Sequence, residues 1–108
     1  CRQLHAFLYA LDLHRKGYPT RIIVEGMATR MLAALERAPL RLQKAVSDAK
    51  DAGLIAGVCL QACSGCGDTA NPSVVEAIKA RGVSFLNDLE NHAGIEPFVR
   101  EGYEVIAV

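Results

Sequence analysis

Cys59, Cys63 and Cys66 fall close together in the stretch Cys59-Leu60-Gln61-Ala62-Cys63-Ser64-Gly65-Cys66-Gly67-Asp68. They follow the apolar run Leu54-Ile55-Ala56-Gly57-Val58, so thiols gather where a buried strand gives way to a Gly-rich loop. Three chemistries use thiols in such a place: sulfur transfer through a cysteine persulfide, thiol redox cycling, and ligation of a metal or iron–sulfur cluster. The bland alternative is a set of small, inert core residues. For sulfur transfer the reacting species is a thiolate and later a persulfide. A strand-end loop running toward a helix N-terminus stabilises that anion. Cys59 stands at the strand end, Cys63 lies in the loop, and Cys66 is near enough to serve as a second, resolving thiol. Burial as a small hydrophobe suits Cys59, whereas a polar, Gly-rich loop offers Cys63 and Cys66 little cover.

The competing chemistries need more than this cluster supplies. Cys63-Ser64-Gly65-Cys66 is a CxxC pair, but thioredoxin-like proteins carry theirs at a helix start near an N-terminal βαβ unit. Here it lies mid-chain and is followed by Gly67-Asp68, which leaves a structural or sensory disulfide open. The spacing also matches the cluster-binding cysteines of radical S-adenosylmethionine enzymes, whose barrel 108 residues do not build. A zinc or iron–sulfur site requires a fourth ligand, for which Cys1, His5 or His92 would serve, although no paired knuckle spacing signals one. Cys1 and His5 are one helical turn apart and share a face. His14 reads as a dipole partner at a helix C-terminus, His92 as a solvated loop residue, and Glu25-Gly26 as a tight strand-to-helix turn. There is no Gly-x-Gly-x-x-Gly or phosphate-binding loop, so no nucleotide cofactor is expected.

The elements that position these residues follow a repeated grammar. Lys16-Gly17-Tyr18, Ala52-Gly53-Leu54, Arg81-Gly82-Val83 and Glu101-Gly102-Tyr103 each end a helix-like segment with Gly and lead into a strand-like run. Gly just past a helix end supplies a left-handed conformation that side chains resist. Helix–Gly–strand, repeated, predicts an α/β domain. Helices are expected over about 2–15, from Ala28 to the break at Pro39, over 40–52, from the cap-and-proline pair Asn71-Pro72 to Gly82, and near 95–100. Strands are expected over 21–25, 54–60, 83–86 and 103–108. The carboxyl ends of such strands form one rim, which gathers the cysteine cluster with Cys1 and His5 and with the segments 25–29 and 87–92. No interior linker divides the chain, so residues 1–108 make one domain. It opens with a helix where a strand is expected, which predicts an N-terminal truncation before Cys1. A strand missing there would leave a polar edge in the sheet centre.

Composition narrows the partners. The chain has 12 basic and 12 acidic residues, zero formal charge and no Trp, and its basic residues are scattered, so no nucleic-acid or polybasic membrane footprint is present. No apolar run approaches the ~18 residues of a bilayer span. With a hydrophobic fraction of 51%, the core does not need staples, and the cysteines are read as reduced in a cytoplasmic protein.

Leu11-Asp12-Leu13-His14…Gly17, Ile22-Ile23-Val24-Glu25-Gly26-Met27-Ala28-Thr29, Leu54-Ile55-Ala56-Gly57-Val58-Cys59 and Gly102-Tyr103-Glu104-Val105-Ile106 together resemble the DsrE/DsrF-like sulfur-relay family, in particular its small stand-alone cytoplasmic members. The likeness spans nearly the whole chain. It implies a three-layer α/β/α domain on a mainly parallel sheet of about five strands, with the first strand absent here, assembled as a homo-oligomer, a trimer or hexamer. It also implies a sulfur carrier or sulfurtransferase that exchanges sulfur with a donor or acceptor protein. The family's persulfide cysteine, just after the third strand, corresponds to Cys59, and Cys63-Ser64 resembles a second family cysteine. Cys66 has no family counterpart. The alternative reading is a metal-binding or redox-sensing module without transferase activity.

Overall fold

The computed structural model describes residues 2–65 and 71–108. Five helices alternate with three short strands: α1 (Arg2–Arg15), β1 (Ile22–Val24), α2 (Ala28–Ala33), α3 (Leu40–Asp51), β2 (Ile55–Cys59), α4 (Pro72–Ala80), β3 (Phe85–Leu86) and α5 (Glu96–Arg100). Two 3₁₀ turns, Leu35–Arg37 and Gln61–Ser64, interrupt the series. The described residues thus form an α/β domain around a parallel three-stranded sheet in the order β1-β2-β3. None of their helices is long and apolar enough to cross a membrane.

The glycine junctions close their helices as the sequence predicts, although no strand follows Gly102. After α3, Gly53 takes a φ of 73°, its N–H donates to Lys50 O, and the Leu54 N–H donates to Ala49 O. That pair of bonds is a Schellman closure, which satisfies carbonyls the helix leaves open and aims the chain directly into β2. The same pair of bonds closes α1 at Gly17 and α5 at Gly102. Asn71 caps α4, its side chain accepting the Ser73 N–H at 3.0 Å with Pro72 in the first helical turn. The segment from Ala28 is shorter than expected. It is helical only to Ala33 and continues as a 3₁₀ turn before Pro39 starts α3.

β2 is the central strand because its residues suit burial. Val58 has no exposed surface and Cys59 retains 3%. Val24, Leu32, Leu42, Val46, Leu54 and Ile78 belong to the same core, where α1 packs on α3 and α2 on α4. In the ladder, Val24 pairs with Val58, Val58 with Phe85, and Cys59 with Leu86. Since all strands run the same way, Val24, Cys59 and Leu86 end at one rim.

Two expectations about the sheet change. β1 bonds directly to β2, so β2 is paired on both sides and the sheet centre presents no open polar edge among the described residues. The expected final strand does not form. After the Gly102 closure, residues 103–108 carry no strand and 104–108 run exposed, with Ile106 73% accessible. The reason lies in β3, whose two residues offer a further strand almost no edge to pair with.

Gly57 sets the spacing of the central pair. A Cβ there would meet Leu86 Cγ at 2.7 Å and the Ser84 carbonyl oxygen at 2.9 Å. The backbone oxygen accepts the Val58 N–H at 2.9 Å, so it cannot retreat without opening the ladder. Gly57→Ala is therefore expected to cost about 1–3 kcal/mol of stability, read as a lower denaturant midpoint in equilibrium unfolding.

Candidate functional site

The rim at the end of β2 is where the thiols meet other polar groups. The ladder's last bond, from the Leu60 N–H to Leu86 O at 3.1 Å, holds the end of β2 against β3. Leu60 then turns into helical backbone, and the Gln61–Ser64 turn ends at Gly65 with a φ of 70°. Thr29, fully buried at the start of α2, donates its hydroxyl to Gly26 O at 2.9 Å and lies 3.4 Å from Ala62 O. The turn carrying the second cysteine is thereby fixed between β2 and α2.

Cys59 and Cys63 lie on different sides of this turn. The Cys63 side chain belongs to the hydrophobic core and has no exposed surface. Its thiol donates to the Cys59 carbonyl oxygen at 3.6 Å. Burial, and then the neighbouring Cys59, push the Cys63 thiol above its ordinary value of 9.0, because a thiolate there would lose its water and face a second sulfur. Cys63 therefore keeps its proton. The Cys59 sulfur instead meets polar groups: it accepts the Ala93 N–H at 3.3 Å and lies 3.9 Å from His92 Nδ1. A backbone donor and an imidazole are the kinds of partner that hold a sulfur anion in place.

Those partners arrive on a small hairpin from the far side of β3. Leu89 and His92 exchange both backbone bonds, at 3.0 and 2.7 Å. Between them Glu90 and Asn91 have φ values of 48° and 67°, the signature of a type I′ turn. Asn accepts that conformation readily, whereas Glu90 holds it at a cost of ~1–2 kcal/mol. Tertiary bonds offset the strain. The Gln61 N–H donates to Asn91 O at 2.9 Å, which ties the hairpin to the turn after β2. The Gly94 N–H donates to Asp88 Oδ1 at 2.9 Å and closes the base of the loop. A Cβ at Gly94 would sit 2.4 Å from Asp88 Oδ2, so a side chain there displaces the Asp88 carboxylate. Residues 88–94 thus form a clamp that presses His92 and Ala93 onto the Cys59 sulfur.

The structure brings together Cys59, Cys63 and His92 and corrects the reading of His92 as a solvated loop residue. The sequence did carry one signal, because 87–92 follows the strand next to β2 and must reach the same rim. His5 stacks on Tyr9 of its own helix, with ring centroids 5.8 Å apart. Glu25-Gly26 is the turn expected, its carbonyls taking the Ala28 and Thr29 N–H groups. Cys1 and Cys66 lie outside the described residues. Among the described residues no group of three or more His, Cys, Asp or Glu is placed to hold a metal ion.

The raised Cys63 thiol has a pH consequence. Below 9.0 the thiol is protonated in both folded and unfolded chains, and its contribution to stability is complete. Above that value the unfolded thiol ionises first while the folded one keeps its proton, so stability falls as pH rises. Urea unfolding across the alkaline range is expected to show this decline, and Cys63→Ala to flatten its slope while lowering stability throughout. Comparison with known proteins finds no family model, no curated protein and no solved structure that matches this chain.

Proposed function

We propose that this chain is a DsrE-like sulfur carrier in which Cys59 accepts sulfur as a persulfide and passes it on. One observation carries the reading: the Cys59 sulfur, buried at the rim of a parallel sheet, lies between the Ala93 N–H and the His92 imidazole. Carriage asks for a thiol in contact with polar groups that hold its anion and placed at a rim where a donor's sulfur arrives. Cys59 meets both conditions. Cys63, sealed in the core with a raised thiol, meets neither, and supports the rim from beneath. Cys66, outside the described residues, is assigned the part of a resolving thiol by sequence position alone.

Transfer then needs no external oxidant. The Cys59 thiolate attacks the outer sulfur of a donor persulfide, the donor's sulfur–sulfur bond breaks, and its electron pair leaves with the donor thiolate. The same exchange in reverse loads the acceptor. On this reading the three strands belong to a five-stranded, three-layer α/β/α sheet, and the protein works in the cytoplasm as a trimer or hexamer with a donor or acceptor protein. The exposed apolar side chains Leu40, Ile95, Val99 and Ile106 supply surface that such assembly would bury.

Incubation with a low-molecular-weight persulfide, followed by intact and peptide mass spectrometry, tests the reading. Cys59 is expected to gain about 32 Da per sulfur. The gain is expected to vanish in Cys59→Ser and survive in Cys63→Ser. No gain on any cysteine would overturn sulfur carriage. Stoichiometric zinc or iron in anaerobically purified protein, lost on replacing the same cysteines, would put a metal-binding module in its place.

A further inference from the structure

From the clamp geometry we infer that His92 is a catalytic residue, the group that takes the proton from Cys59 and returns it to the departing thiolate. The inference deepens the sulfur-carrier reading and rests on it for the identity of the substrate, a persulfide R–S–SH. Nδ1 is the ring nitrogen that faces the sulfur, at 3.9 Å, within hydrogen-bonding range for so large an atom. The backbone on either side of the ring is held in place. Its backbone is locked to Leu89 by two hydrogen bonds, the next residue's N–H is bonded to the same sulfur, and Asn91 is bonded to Gln61. Three separate contacts therefore aim one imidazole nitrogen at one thiol, the arrangement by which a neighbouring base activates a cysteine nucleophile.

The proton balance follows from that geometry. The proposed step starts from the pair with the proton on the Cys59 sulfur and the Nδ1 lone pair turned toward it. As Cys59 attacks the outer sulfur of R–S–SH, its proton moves to Nδ1, a new sulfur–sulfur bond forms, and the donor's own breaks. The imidazolium then protonates R–S⁻. The products are Cys59–S–SH and R–SH, with no net oxidation and the imidazole restored. The Ala93 N–H stays on the Cys59 sulfur throughout and supports the anionic stage, a task it performs through the backbone and without a titration of its own.

Among the described residues, the elements packed around the pair bring these charged and titratable groups. Arg30 of α2 extends its guanidinium to the Gly65 end of the Gln61–Ser64 turn, 3.5 Å from where a Cβ on Gly65 would lie. From the Gln61–Ser64 turn comes Cys63, bonded to the Cys59 carbonyl. On the clamp, Asp88 is engaged by the Gly94 N–H, and Glu90 is exposed at the tip. β1 and β3 carry no charged residue. His92 thus brings an imidazole, a side chain able to exchange protons, against the Cys59 sulfur.

Two measurements on the intact chain test the assignment. The first follows sulfur uptake from glutathione persulfide and iodoacetamide alkylation of Cys59 as functions of pH. In His92→Gln the uptake rate is expected to fall about a hundredfold, and the alkylation profile is expected to move to higher pH. In His92→Ala added imidazole is expected to restore part of the rate, which a structural defect would not allow. Equal rates and superimposable profiles in folded variants overturn the inference. The second measurement needs no His92 variant: the ring titration of His92, followed by NMR, is expected to shift in Cys59→Ser. An unchanged titration overturns the inference too. Wild-type protein that takes up no sulfur removes the carrier reading, while the alkylation profile and the ring titration still decide whether the pair exchanges a proton.

Discussion

The pairing of β2 with a parallel neighbour on each side is the constraint on which the rest of the molecule depends. A strand buried on both faces and bonded on both edges has no freedom to slide. Its last residue is therefore fixed in three dimensions, and that residue is Cys59. The Leu86 carbonyl extends the ladder to Leu60, so the same hydrogen-bond system that fixes the strand also fixes the start of the turn beyond it. The close approach at Gly57 belongs to this constraint. It allows β3 to lie near enough that a loop leaving β3 folds back over the end of β2.

One turn of backbone then separates two thiols into two kinds of environment. Cys63 is four residues beyond Cys59, yet it faces apolar side chains and a single carbonyl oxygen. Cys59 faces a backbone N–H and an imidazole. Residue type does not distinguish the two, and neither does accessible surface, since both are buried. The difference lies in what covers them, because hydrocarbon opposes charge on sulfur and polar donors support it.

Much of this was legible in the sequence, and for identifiable reasons. Each Gly junction is a local signal, since the closure at Gly53 involves residues no more than five apart, and such contacts leave direct traces in residue choice. The apolar run before Cys59 likewise announced a central strand. Residues 103–108 show the limit of that reasoning. Their Tyr-x-Val-x-Ala alternation is compatible with a strand, but pairing depends on a partner edge, and β3 is too short to supply one. His92 was placed on the correct rim but not against Cys59. Its position depends on two residues at positive φ, and a turn of the sequence Glu-Asn gives little notice of that conformation, where Asn-Gly would have. The contact that completes the site is tertiary, made between segments that are 33 residues apart.

The left-handed backbone at Glu90 bears on how the molecule moves. A segment that holds a conformation its side chain resists, and is retained by a handful of hydrogen bonds at its ends, gives back part of its strain when those bonds break. Its opening costs less than the count of bonds alone implies, whereas β2 and the core beneath it are bound to the free energy of global unfolding. Amide exchange in this chain is thus set to divide at the rim, with the N–H groups of residues 89–94 trading with solvent through brief local excursions and those of β2 only when the whole fold comes apart. The sulfur of Cys59 marks that border, carried on a strand paired on both sides and covered by a hairpin held by a few hydrogen bonds.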